Sequence, residues 1–183
     1  MALSLPYTLT AGTPENVNHV QSNFTTLANS FPLAINTTNF ATVPQCRVYR
    51  STNQTLSTAM SVILFDSETV DSGTPSTNMH DTGSNTGRLT CRVAGGYLIL
   101  ANTNIQANSA NAQGDIYLNG TTILSTAMSP SMTTGVLSYI QIATFYRLAV
   151  NDYVETRIQA STGTPLCLGG ASTCNFSMIM VSV

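Results

Sequence analysis

The residue types that could do chemistry gather in one stretch: Asp66, Glu68 and Asp71, then Met79-His80-Asp81. Carboxylates and Asn carbonyls suit a hard cation such as Ca²⁺. The spacing lacks an Asp-x-Asp-x-Asp-Gly loop. Asp66, Glu68, Asp71 and Asp81 are therefore a candidate cation set, with turn-capping and pairing to Arg88 or Arg92 the favoured expectation. His80 and Asp81 could form one acid–base pair. Hydrolysis needs a nucleophile, its base and an oxyanion site together, and the other histidine, His19, is far away in sequence. No nucleophile elbow, phosphate-binding loop, dinucleotide fingerprint or His-Glu-x-x-His is present. These readings point away from an enzyme and call for no cofactor.

Cys46, Cys91, Cys167 and Cys174 are spaced too widely for a zinc ribbon. The closest pair, Cys167 and Cys174, brackets Gly169-Gly170. A Cys167–Cys174 disulfide stapling a turn is one reading. Buried free thiols acting as small hydrophobes is the other. Both stay open at the level of sequence.

Any such groups must be held by elements, and the composition limits which. Charged residues are 8% of 183, the net charge is −2, and all six cations are Arg. A typical soluble domain carries about 25% charge. With no basic cluster, the chain lacks the electrostatic footprint for nucleic acid or an anionic membrane. Ser, Thr and Asn make up a third of the chain, so hydroxyls and amides must cover its surface. No run approaches the ~18 apolar residues of a membrane span. The start, Met1 to Tyr7, shows no basic region followed by an apolar run, so no secretion signal is expected.

Residues 1–12 read as an extended arm. Thr13-Pro14-Glu15 then reads as a helix start, with Thr as N-cap and Pro in the first turn. Val17, Val20, Phe24, Leu27 and Phe31 follow at alternating spacings of three and four, a narrow seam two heptads long. Phe31-Pro32 ends it. A short helix rich in Asn and Thr is marginal alone. It must bury the seam either on its own domain or, as the narrow stripe favours, in a bundle of identical chains.

From about Val43 the period changes to two. Tyr97–Ile105 reads as a long strand. Ile116–Leu118, Asn119-Gly120 and Thr121–Leu124 read as a hairpin. Val136–Val150 is β-rich, with Ile140, Ile142, Thr144 and Tyr146 on one face. Tyr153–Gln159 alternates Val154, Thr156 and Ile158 against Glu155, Arg157 and Gln159. Phe176–Val183 is a further strand, apolar enough to expect central pairing. Spaced strands with polar turns argue for an all-β sandwich.

The order of landmarks resembles the C1q/TNF-like jelly-roll family, in the form found in bacteriophage virion proteins. The resemblance runs from Arg47-Val48-Tyr49-Arg50-Ser51 through Phe65–Asp71, Met79-His80-Asp81 and Arg88-Leu89-Thr90. It continues through Ala94-Gly95-Gly96-Tyr97, Leu118–Thr121, Phe145–Leu148, Asp152–Glu155 and Phe176-Ser177-Met178. The family more often has Gly where Asn151 precedes the Asp-Tyr-Val-Glu turn. Leu5-Pro6-Tyr7-Thr8 and the Val17–Leu27 stretch are similar to the N-termini of phage tail-fibre and head-fibre proteins.

The resemblance implies an antiparallel ten-strand jelly-roll sandwich over 43–183, trimerising about a threefold axis. It is preceded by an anchoring arm and short trimerising helix over 1–35. Tyr97, Tyr139, Phe145, Tyr153 and Phe176 are expected in the core or at the axis. The expected protein is a non-enzymatic homotrimeric spike or fibre on the virion surface. Its N-terminal segment would join a capsid or tail protein, and its jelly roll would attach to the host surface or a glycan. Ser72–Asn85, Asn102–Gly114 and Ser125–Thr134 are the candidate outer loops. The alternative is a capsid or tail decoration protein with no receptor, favoured by the lack of room for a shaft. A cellular C1q-like adhesin is a third reading, disfavoured by the missing secretion signal.

Overall fold

The computed structural model describes residues 43–72, 78–106, 111–129 and 136–182, together with 18, 20–23 and 25. The chain divides into two compact units, Met1–Ala41 and Thr42–Val183. In the first, residues 18, 20–23 and 25 are helical, and the Thr25 hydroxyl donates to the Gln21 carbonyl at 2.9 Å. Of the expected seam, Val20 is helical and half-buried. Val17, Phe24, Leu27 and Phe31 lie outside the described residues.

The second unit is all β. Its strands are β1 (Gln45–Tyr49), β2 (Gln54–Thr55), β3 (Ser61–Val62), β4 (Ser67–Ser72), β5 (Arg88–Thr90) and β6 (Gly95–Gln106). Then come β7 (Ala112–Leu118), β8 (Thr122–Ser129), β9 (Leu137–Leu148), β10 (Tyr153–Ala160), β11 (Leu166–Cys167) and β12 (Cys174–Ser182). The described residues thus hold twelve strands where ten were expected. Three of the twelve, β2, β3 and β11, are only two residues long. Short pairings of this kind leave too little periodicity to read.

The strands form two sheets. One has seven strands: β2, β11, β6, β12, β1 and β4 in order, with β9 also on β6. The other has five: β3, β10, β7 and β8, with β5 also on β10. Every pairing is antiparallel. β12 lies between β6 and β1, so the expected central placement of that strand is what the structure has. The Asn119-Gly120 turn joins β7 to β8 with φ of 49° and 71°, the pair of positive values a two-residue hairpin turn requires.

The core fills the space between the sheets. Tyr97, Ile99 and Ile105 reach in from β6, Ile140 from β9, and Ile116 and Ile158 from the facing sheet. Phe65 stacks on Phe176 at 5.8 Å between ring centroids. The Tyr97 hydroxyl donates to the Val93 carbonyl at 2.7 Å, which satisfies the one polar atom that ring buries. At Gly114 a Cβ would stand 2.7 Å from Ile140 Cγ2, so a side chain there would push the sheets apart.

Candidate functional site

The acid-rich stretch is used up by local structure. Asp66 Oδ1 accepts from the Ser51 backbone N–H at 2.7 Å, and Oδ2 accepts from the Ser51 hydroxyl at 3.0 Å. Partial burial pushes the Asp66 carboxyl up, but the Ser51 and Ser67 hydrogen bonds outweigh it and hold it below the usual carboxylate value. Asp71 accepts the backbone N–H groups of Met79 and His80, both at 2.9 Å. Asp81 accepts from the Ser84 hydroxyl and from the N–H groups of Gly83 and Ser84, which lower its pKa. Glu68 Oε1 meets His80 Nδ1 at 2.8 Å, while His80 Nε2 meets the Thr86 carbonyl at 3.0 Å.

These are the turn-capping roles the sequence favours, but the expected pairing with Arg88 or Arg92 does not occur. Arg88 pairs instead with Glu155, at 3.5 Å, and Arg92 Nε donates to the Asn78 carbonyl at 2.7 Å. The reason is register, since Arg88 lies opposite Glu155 in the β5–β10 ladder. Asp66, Glu68, Asp71 and Asp81 do not converge. Among the described residues no three His, Cys, Asp or Glu side chains could hold a metal together. The acid–base pair of His80 is Glu68, not Asp81.

The four cysteines are buried thiols. The suggested Cys167–Cys174 disulfide is not formed in this structure, although the two Sγ atoms stand 3.1 Å apart as a hydrogen-bonded pair. Burial raises the pKa of Cys46 and of Cys91, so neither is a ready nucleophile.

The surface carries features of its own. The outward side of the seven-stranded sheet is apolar at the end where β1 begins and polar in its middle, with Tyr139 and Leu137 of β9 exposed beyond. Leu98 on β6 lies between Phe145 of β9 and Ile179 of β12; Leu100 lies between Ala143 and Ser177. Leu98 is 36% exposed, Leu100 40%, Ile179 36% and Phe145 58%. One register step on, Asn102 lies between Gln141 and Asn175, and Gln141 Nε2 donates to Asn102 Oδ1 at 3.4 Å. An open groove of about 590 Å³ crosses this polar part beside Arg47. The aromatic set expected at core or axis therefore divides. Tyr97 and Phe176 are fully buried, Tyr139 and Phe145 stand outside, and half-buried Tyr153 lies under the Arg88 guanidinium at 4.0 Å.

The outward side of the five-stranded sheet is different. Glu155 accepts from Arg157 through Nε at 2.8 Å and through Nη2. Arg157 caps the Tyr117 ring at 4.2 Å and donates to the Gly120 carbonyl at 3.0 Å. Asp115 is buried and accepts both of its hydrogen bonds from Gln113, each at 3.1 Å. On β8 the same side also carries exposed Ile123 and Met128, opposite Tyr117 and Gln113.

The expected outer loops do not share one end. Ser72 lies opposite Gln45, at the end where β1 begins, so the 72–85 segment leaves the sheet there. Gln106 lies opposite Leu137, at the far end, where β7 begins and β8 ends as well. The loop boundaries contract too, because Asn102–Gln106, Ala112–Gly114 and Ser125–Ser129 are strand. The exposed Ser161-Thr162-Gly163-Thr164 connection joins the far end and was not foreseen. Its Ser and Thr do not stand out in a chain so rich in both.

No family model matches the sequence, and no curated protein does. The likeness is to solved structures. A TNF domain, Eiger from S. frugiperda, is 12% identical with a TM-score of 0.59, covering 76% of this chain and 93% of that one. The globular domain of zebrafish complement 1qA is 14% identical with a TM-score of 0.57, covering 75% and 97%. Murine APRIL is 10% identical with a TM-score of 0.57, covering 76% and 99%. The fold is a C1q/TNF-like jelly roll. Identities this low establish the architecture and leave the activity open.

Proposed function

We propose that this chain is a non-enzymatic, homotrimeric bacteriophage virion protein that presents its jelly roll for attachment to a host surface. The observation that carries the reading is the exposed apolar patch of Leu98, Leu100, Phe145 and Ile179 on the seven-stranded sheet. A contiguous patch of this kind is a marker of an interaction site. On a threefold axis, three copies would cover one another there. The first 35 residues, with phage-like segments at Leu5–Thr8 and Val17–Leu27, would join a capsid or tail protein. The hydroxyl- and amide-rich connections at the far end would then meet a glycan by hydrogen bonds. Three linked sites gain avidity, so each contact can be weak.

A decoration protein without a receptor is the second reading. The open groove beside Arg47 favours it, because that concavity lies on the face assigned to subunit contact rather than among the far-end connections. Light scattering behind a sizing column tests the trimer. A mass three times the 19.4 kDa of one chain is expected. A single-chain mass at micromolar concentration would overturn the trimer for the free protein. Binding to host-wall polysaccharide then separates attachment from decoration.

A further inference from the structure

Cys167 and Cys174 are brought together by sheet register. Cys174 lies opposite Thr103 and Cys167 opposite Ile105, two positions apart on β6. β9 occupies the other edge of β6 along its whole length, so both cysteines sit on the same edge. Both are fully buried, and their Sγ atoms are 3.1 Å apart.

The connection between them is held by bonds that do not involve sulfur. The N–H of Leu168 donates to the Asn104 carbonyl at 2.9 Å, and the N–H of Gly170 to the Arg50 carbonyl at 2.6 Å. The Thr173 hydroxyl donates to the Gly169 carbonyl at 2.8 Å. Gly169 passes so close to Thr52 that a Cβ would stand 2.5 Å from backbone. The turn is thus set before any cross-link forms, and it leaves the sulfurs in contact. Cys46 and Cys91 have no such arrangement; the Cys91 thiol donates to the Val93 carbonyl at 3.1 Å.

We propose that Cys167 and Cys174 are a disulfide-forming modification site whose oxidant is a low-molecular-weight disulfide such as oxidised glutathione. One cysteine, as thiolate, attacks the glutathione disulfide, forming a mixed disulfide and releasing one reduced glutathione. The second thiolate attacks the protein sulfur of that mixed disulfide, closing the Cys167–Cys174 bond and releasing a second glutathione. The two cysteines lose two electrons and the glutathione disulfide gains them; each departing thiolate takes up a proton at neutral pH. The hydrogen bond to Cys167 and burial keep the proton on Cys174, so exchange proceeds through opening of the 168–173 connection. Closing a short ring restricts the unfolded chain.

The test uses the full chain, purified with reductant and then incubated with oxidised glutathione. The product is unfolded, alkylated and cut at arginine. The fragment after Arg157 carries both cysteines, while Cys46 and Cys91 fall in other fragments. The expected fragment resists alkylation and is lighter by two hydrogens, while Cys46 and Cys91 take the label. The thermal midpoint should rise by about 5 °C and fall back on reduction. Cys167→Ser should leave Cys174 either open to label or carrying one glutathione, with no fragment lighter by two hydrogens; the wild-type experiment stands even if that variant folds poorly. The proposal fails if the fragment takes two alkyl groups, if glutathione stays on one sulfur, or if the linked protein melts where the reduced one does. Subunit number does not enter these readouts, so they stand apart from the trimer test.

Discussion

The two outward faces of this sandwich have similar strand geometry and opposite chemistry. On the five-stranded sheet, Arg88 and Arg157 lie over Tyr153 and Tyr117 and share Glu155 between them. On the seven-stranded sheet, Leu98, Leu100, Phe145 and Ile179 remain partly exposed to water, from 36% to 58%. A face whose charges and rings satisfy one another gains little from a partner. A face of unpaired leucine and phenylalanine gains roughly 25 cal/mol for each Å² it removes from water. The two middles therefore differ, one charge-paired and one apolar, although Ile123 and Met128 of β8 are exposed beside the first, and self-association is expected on the second.

The most disruptive change to this contrast is Leu100→Arg. A charge at the edge of the apolar patch, beside the polar groove, should reduce the native mass to that of one chain. Leu100 points outward, so circular dichroism and the fold of the single chain should be kept. Retention of the trimer would move the interface elsewhere. Next is Glu155→Ala. It removes the carboxylate that Arg88 and Arg157 share, with Arg88 well exposed and Arg157 less so, which should destabilise the domain by about 2 kcal/mol in denaturant titration. The native mass should not change; a fall in mass would mean that the five-stranded face also takes part in the proposed assembly.

The smallest effect is in acid, and it touches neither face. Asp66 and Asp81 both titrate below their ordinary 3.8 in the folded chain. Folding therefore gains from them fully above that pH, and the gain fades as pH falls through the lower folded values. Thermal midpoints should drop on that acid limb. Asp66→Asn should be less stable at neutral pH and show a shallower limb. An unchanged limb would mean that the Ser51 hydrogen bonds contribute nothing.

Where the sequence was legible, it was so for a physical reason. On β10, Val154 and Ile158 face the core and charged residues face out, so period two was plain. β9 is apolar on both sides. Its two faces could be separated, but Ile140 and Ile142 against Tyr139 and Phe145 give no sign of which one is buried. Only the register with β6 decides it. The site residues were harder. The partner of Arg88 comes from β10, more than sixty positions away, and no local pattern announces it. The nearness of Cys167 and Cys174 was readable because the chain between them is short and holds two glycines.

The central position of β12 has a consequence for how the chain is made. Residues 174–182 fill the gap between β1 and β6, so on the ribosome β1 waits with an open edge through most of the domain's synthesis and β6 through its second half. Pairing across such sequence separation is slow to form, and open edges are templates for the wrong neighbour. Closure of the seven-stranded sheet is then a late event. Since β12 also carries Ile179 of the apolar patch, a nascent chain has that patch whole only when its own sheet is complete, which would hold the proposed pairing with other copies back until then.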